Sequence, residues 1–265
     1  EREILAQHGE SIVSGLPEDV TLVELGSGSA TKTHLIIDAL LEERDSLCFS
    51  PIDVSKSALE ASADSMLEAF PNLEIVAIAG EYQEGLQVRE REIDGPQLIL
   101  WLGSSVGNLT REEAIDFLTQ LSQTMSLEDR LLIGIDLRKS ARVLEPAYDD
   151  AARVTARFNQ NLLNRVNTEL GGRFDVGAFR HLARYDDEKG RVEMHLVSES
   201  EQSIAIDDLN LEVNFREGET IHTENSYKYS LEEIETLATR GGFEIEKQWF
   251  DSQERFSLSR MRRVS

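Results

Sequence analysis

The sequence predicts an α/β fold, a parallel sheet with helices on both faces, and three observations carry that prediction. Apolar runs alternate with helix-patterned segments through the first half of the chain. Two of those runs, residues 98–102 and 131–135, are nearly continuous, as strands covered on both faces require. A turn with two glycines, Gly26-Ser27-Gly28, joins the first strand to the next helix. In an open parallel sheet that joint is where ligands bind.

The elements follow in order. A helix is expected over residues 3–14, with Ile4, Leu5, Ile12 and Val13 as its apolar positions. Strands are expected near 21–25, 47–52, 74–79, 97–102 and 130–136, separated by helices near 33–43, 56–70 and 111–125. After Asp136 the pattern changes. A long helical region over about 141–170 stops at Gly171-Gly172, and alternating segments follow at 191–197, 202–206 and 211–215. The run Asp186-Asp187-Glu188-Lys189-Gly190 reads as a hairpin turn. A helix near 230–240 ends at Gly241-Gly242, and strands near 243–250 and 255–261 close the chain. The expected domains are a Rossmann-like cofactor domain over 1–139, an α+β insertion over 140–225 at the mouth of the sheet, and a helix and hairpin over 226–265 completing it.

Composition narrows the function classes. The 265 residues suffice for a sizeable core. Fifty acidic against 27 basic residues give a net charge of −23, a field that repels a phosphate backbone, so no nucleic-acid partner is expected. The single cysteine, Cys48, forms no internal disulfide framework and fits a reducing, cytoplasmic compartment. Its neighbours Leu47 and Phe49 suggest a packed thiol. No apolar run approaches the roughly 18 residues of a membrane span, and no signal peptide is visible. A monomer is the simplest expectation. The five histidines lack metal-ligand spacing such as H-E-x-x-H, so no metal is expected.

The glycine turn admits three cofactor readings. A dinucleotide site wants a third glycine where Thr31 stands. A phosphate-binding P-loop also wants glycine at Thr31, although Lys32-Thr33 follows. The third is the E-x-G-x-G turn of S-adenosylmethionine-dependent methyltransferases, matched by Glu24-Leu25-Gly26-Ser27-Gly28. Asp53, ending the next strand, suits the ribose hydroxyls of a nucleoside; the alternative is an ordinary turn aspartate.

Further motifs resemble those of a known family. Besides the glycine turn they are Leu102-Gly103-Ser104-Ser105-Val106-Gly107-Asn108, Ala147-Tyr148-Asp149-Asp150, Phe158-Asn159-Gln160-Asn161, Met194-His195-Leu196 and Thr223-Glu224-Asn225-Ser226. Together they resemble the histidine-specific N-alpha-methyltransferases, which make hercynine, trimethylated histidine, on the route to ergothioneine. The resemblance runs from residue 1 almost to the end. It implies a Rossmann-like class I methyltransferase domain and a substrate-binding insertion, with histidine held between them. It gives Asn108 and Tyr148 the catalytic task of holding the substrate's amino-acid head, Glu224 and Ser226 the imidazole, and Met194 the pocket wall. It gives the cofactor, S-adenosylmethionine, to Gly26, Gly28, Lys32, Asp53, Glu81, Tyr82 and Gly103. Glu81-Tyr82 stands where the family more often has Asp-Phe. The family also carries an N-terminal segment, with a substrate-contacting tyrosine, that would end just before Glu1; either that segment has been trimmed from this chain or this protein lacks it.

Bland alternatives stand beside these roles. Asn108 is a candidate cap for the helix near Thr110, Tyr148 a candidate core tyrosine, and Glu224 and Ser226 a candidate solvated strand face. Two other functions also remain open: methylation of another amino acid or small amine, and cofactor binding without turnover.

Overall fold

The structure is a computed structural model that describes residues 1–28, 30–92 and 94–264. The chain forms two compact units, one of Glu1–Leu137 with Tyr229–Ser265, the other Arg138–Lys228.

In the first unit the elements are α1 (Arg2–Val13), β1 (Thr21–Leu25), α2 (His34–Leu41), β2 (Leu47–Asp53), α3 (Lys56–Ala69), β3 (Leu73–Ile75), β4 (Ile78–Ala79), α4 (Tyr82–Glu92), β5 (Gln97–Trp101), α5 (Arg111–Thr124) and β6 (Arg130–Asp136). The second unit holds α6 (Ala141–Tyr148), α7 (Val154–Leu170), β7 (Phe179–Asp186), β8 (Arg191–Ser198), β9 (Gln202–Ile206), β10 (Leu211–Phe215) and β11 (Thr220–Tyr227). The chain then returns to the first unit with α8 (Leu231–Arg240), β12 (Phe243–Phe250) and β13 (Phe256–Arg263).

The first unit's sheet runs β12-β13-β6-β5-β1-β2-β3, with β4 also paired to β2. Strands β1, β2, β5 and β6 are parallel, and β13 enters antiparallel beside β6. All five residues of β1 and of β5 are buried, which explains why apolar residues predominate in them, Glu24 of β1 being a buried exception. Ile4, Leu5, Ile12 and Val13 of α1 join Ile36, Ile37 and Leu40 of α2 in the core over one face. Helices α5 and α8 each begin with a capping box, Thr110 with Glu113 and Ser230 with Glu233.

The predicted strand near 74–79 is two short pieces. Between them the Ser50 hydroxyl donates to the Val76 carbonyl at 2.8 Å, taking that group out of the ladder. Helix α4 has no counterpart in the sequence reading: among its described side chains Gly85, Leu86 and Arg89 are buried, and a glycine, a leucine and an arginine set no apolar period.

In the second unit β11, β8 and β7 form an antiparallel sheet, and β9 pairs with β10. Along β7, Phe179, His181, Ala183 and Tyr185 are buried and alternate with more exposed Arg180, Leu182, Arg184 and Asp186, so one face packs inward. Leu163 of α7 meets Phe179, Leu196, Ile204 and Phe215 in one cluster; Leu144 of α6 meets Ala183, Tyr185 and Val192 in another. The helix expected over 141–170 is interrupted. Pro146 lies near the end of α6, Arg153 takes φ +56°, and the Asp150 carboxylate accepts the Val154 and Thr155 N–H groups at 3.0 and 2.9 Å, starting α7 afresh. Those backbone N–H bonds hold the Asp150 carboxyl down at about 2.

Candidate active site

Strand order reverses between β1 and β5, since β2 lies on one side of β1 and β5 on the other. The carboxyl ends of these strands therefore open a crevice where a parallel sheet places its ligand. A cleft of about 490 Å³ lies there, lined by Gly26, Asp53, Val54, Glu81, Tyr82, Trp101, Ser105, Asn108, Leu109 and Phe117. That is a normal size for a cofactor site.

Each part of the cleft has a local cause. Gly26 takes φ +70°, and a Cβ there would collide with the Tyr82 hydroxyl, so both conformation and space demand glycine. The Asp53 carboxylate accepts the Gly28 N–H and the Ser55 N–H, each at 2.9 Å, which ties the glycine turn to the end of β2. The Ser27 hydroxyl is buried in the turn with no hydrogen-bond partner among the described residues. Trp101 and Phe117 meet with ring centroids 4.5 Å apart, and the Tyr82 ring lies 6.0 Å from Phe117. Burial, reinforced by the Asp53 charge, pushes the Tyr82 phenol up, so it remains a proton donor. Val54 is 70% exposed, an apolar side chain open at the cleft.

Gly103, at φ +76°, carries the chain away from β5, and its N–H donates to the Glu1 carboxylate at 2.8 Å. The other Glu1 oxygen pairs with Lys32. Lys32 and the Gly103 N–H thus already hold a carboxylate in this structure. Beneath them Glu24 is 4% exposed and accepts the Thr33 hydroxyl at 2.7 Å; burial pushes its carboxyl up to about 8. Asn108 ends a 3-10 turn, Ser105–Asn108, and is exposed at the cleft. Thr110, not Asn108, caps α5.

These groups fit a nucleoside-bearing amino acid. Flat aromatic walls and Val54 suit a base, Asp53 and Glu81 supply acceptors, and the glycine turn carries the Ser27 hydroxyl.

In the second unit the cluster is built on one sheet face. Met194 lies opposite Glu224 in register, and Val192 opposite Ser226, so Met194, Glu224 and Ser226 share a side. Tyr148, at the end of α6, places its hydroxyl 2.8 Å from the Ser226 hydroxyl. Glu224 is half-buried, and burial lifts its carboxyl above the usual range against the opposing pull of Lys228. Tyr148 is held by its backbone as well. The His181 Nε2–H donates to the Tyr148 carbonyl at 2.8 Å, and the Asn159 amide donates to His181 Nδ1 at 2.9 Å. Because a carbonyl only accepts, the proton sits on Nε2.

Of the residues expected at the cofactor, Gly26, Asp53, Glu81 and Tyr82 line the cleft together with Asn108, Gly28 is tied to Asp53, and Lys32 and Gly103 meet at Glu1; the second unit gathers Tyr148, Met194, Glu224 and Ser226. Sequence reasoning missed Trp101, Phe117 and Val54, and it gave no job to Asn159, His181 or Lys228. A tryptophan ending a buried strand was a usable signal; the others depend on pairings far apart in the chain.

A sheet of this order, with a glycine turn after β1 and an acid ending β2, is the class I S-adenosylmethionine-dependent methyltransferase fold. The solved structure of the CcbJ methyltransferase from Streptomyces caelestis has the same fold, with a TM-score of 0.51, 14% identity, and coverage of 99% of this chain and 90% of that one. Within the class, the chain belongs to the histidine-specific, S-adenosylmethionine-dependent methyltransferase family, whose pattern it matches over residues 1–263. It is similar to histidine N-alpha-methyltransferase of Mycobacterium tuberculosis, 39% identical over 98% of this chain and 80% of that protein. Ergothioneine biosynthesis protein 1 of Schizosaccharomyces pombe is 28% identical over 92% of this chain and 33% of its own length.

Proposed function

We propose that this enzyme methylates the α-amine of L-histidine three times, giving hercynine. The observation that carries the reading is the grouping of Glu224, Ser226, Met194 and Tyr148 on one sheet face. Glu224, a carboxylate with lifted proton affinity, accepts an imidazole N–H. The Ser226 hydroxyl meets the other ring nitrogen. Met194 is an adaptable wall beside them. Tyr148 offers the amino-acid head a neutral dipole, which holds an amine without locking it as an ammonium; Asn108, on the first unit's cleft, is a polar group of the same neutral kind.

S-adenosylmethionine, when bound, supplies an electrophilic methyl group on its sulfonium. The amine lone pair forms the new N–C bond as the S–C bond breaks, and each of the first two methylations releases one proton from nitrogen. The residues contribute mainly by positioning. Trp101, Phe117 and Val54 bind the adenine, Asp53 the ribose hydroxyls, and Glu81 the adenine amino group. Lys32, Glu1 and the Gly103 N–H supply a cation, an anion and a donor suited to a zwitterionic head.

The acidic balance of the chain supports an enzyme of small molecules with no nucleic-acid partner, the single cysteine supports a cytoplasmic compartment, and a monomer is the simplest assembly. No helix among the described residues is long and apolar enough to cross a membrane.

Glu224→Ala tests the assignment by calorimetry. Losing a hydrogen bond to a charged group, roughly 1.5–3 kcal/mol, raises the histidine Kd about 10- to 150-fold. The Kd for S-adenosylhomocysteine stays unchanged. Equal loss for both ligands removes Glu224 from the substrate site.

A further inference from the structure

Glu1 is the N-cap residue of α1, and its carbonyl accepts the Leu5 N–H at 3.0 Å, so its backbone belongs to the helix's first turn. An acidic side chain at that position ordinarily accepts N–H groups of the same turn. Here it makes no cap bond. The side chain is buried, 7% exposed, and turned to other partners: one oxygen accepts the Gly103 N–H at 2.8 Å and the other pairs with Lys32. Two glycines make the room. Lys32 Nζ lies 3.4 Å from where a Gly103 Cβ would be, and a Cβ at Gly134 of β6 would overlap the Glu1 carboxylate. This carboxylate site adjoins the cleft, because the hydroxyl of Ser105, a lining residue, lies 3.7 Å from the same Gly103 position.

A cation and a backbone N–H converging on one carboxylate form a recognition site for that group. S-adenosylmethionine and its product S-adenosylhomocysteine each end in an amino-acid carboxylate. Lys32 and the Gly103 N–H are the donors suited to that end, and Glu1 already holds both. A backbone N–H has a single proton, and two carboxylates crowded on one ammonium repel each other. The cofactor's carboxylate therefore gains these donors only as Glu1 gives them up.

We propose that Glu1 is a built-in competitor for the cofactor's carboxylate, holding Lys32 and the Gly103 N–H until the cofactor takes them and returning to them when it leaves. This role rests on the proposed cofactor site and adds the residue that sets its affinity. Glu1 weakens S-adenosylmethionine and S-adenosylhomocysteine alike. An enzyme that methylates one amine three times must discharge a spent cofactor after each round. A carboxylate that covers the vacated donors eases each departure, since neither the lysine nor the N–H is left without a partner.

The test compares S-adenosylhomocysteine with S-adenosyl-3-thiopropylamine, the same molecule without its carboxylate. Binding of each is measured by calorimetry on the full chain. Glu1→Gln keeps the shape and removes the charge; it tightens S-adenosylhomocysteine about tenfold, the worth of one charge-assisted hydrogen bond, and leaves the amine within about twofold. Glu1→Ala, which frees both donors outright, gives at least the same gain. Lys32→Met weakens S-adenosylhomocysteine and spares the amine, and in that background Glu1→Gln gives a smaller gain than in the parent, because one contested donor is gone. An unchanged or weaker S-adenosylhomocysteine Kd in both Glu1 variants makes Glu1 an anchor of α1 or a partner of the cofactor's ammonium, and overturns the proposal. A gain equal for both ligands overturns it too, since only the carboxylate is contested. If Lys32→Met weakens both ligands equally, or neither, the cofactor-site reading fails first and the proposal with it. Circular dichroism verifies that each variant is folded.

Discussion

Glu24→Gln isolates an electrostatic cost that the cofactor turn carries. Glu24 sits within β1, fully desolvated, with its carboxyl pushed up to about 8 from an ordinary 4.5. Burial is the main cause; the Thr33 hydrogen bond and the Lys32 charge oppose it, while Glu1 and Asp53 reinforce it. Below pH 4.5 both folded and unfolded chains hold the proton, and Glu24 adds no pH dependence. Between 4.5 and about 8 the folded chain keeps the proton and the unfolded chain releases it, so stability falls as pH rises. Each pH unit in that window costs about 1.4 kcal/mol, or about 5 kcal/mol across it. Glutamine keeps the shape and the acceptor for Thr33 but cannot ionise. Unfolding curves from pH 5 to 8.5 therefore diverge, the variant gaining on the parent by about 4 kcal/mol, on the order of 10 °C in Tm. Parallel pH profiles for the two proteins refute the argument.

Two further outcomes follow from geometry. Gly26→Ala forces a side chain into left-handed backbone and against the Tyr82 hydroxyl; S-adenosylhomocysteine affinity measured by calorimetry falls about tenfold or more, whereas an unchanged Kd removes the close approach from the account. Asn159→Leu strips His181 Nδ1 of its donor, so nitrogen NMR of labelled His181 shows loss of the single Nε2–H tautomer and histidine affinity drops, while a persisting tautomer shows that the Tyr148 carbonyl suffices alone.

The parts of the fold legible in the sequence were those with one strong local cause. Strands β1, β5 and β6 are mostly apolar because both their faces are covered, and Gly26 is glycine because its backbone is left-handed and Tyr82 crowds it. The place of Asp53 at the end of a strand was legible too, whereas its carboxylate's tie to the glycine turn, far back in the chain, was not. Helix α4 was not legible either, because the described side chains it buries, Gly85, Leu86 and Arg89, set no apolar period. The break between α6 and α7 was hidden because Asp149-Asp150 looks like any polar helical surface until Asp150 is seen accepting the next helix's N–H groups. Glu224 and Ser226 could be paired by strand spacing, yet Met194 and Tyr148 reach them only through a register and a helix packing that no local pattern records. Lys228 was invisible for a simpler reason. A lysine in a sequence reads as surface, and the burial of this one against the Tyr148 and Ser226 hydroxyls shows only once the chain is folded.

The most direct test of the central claim is to incubate the protein with S-adenosylmethionine and L-histidine and follow the products by mass spectrometry. The account predicts successive appearance of mono-, di- and trimethylhistidine, ending in hercynine. Unmodified histidine, from protein that binds both ligands, contradicts it.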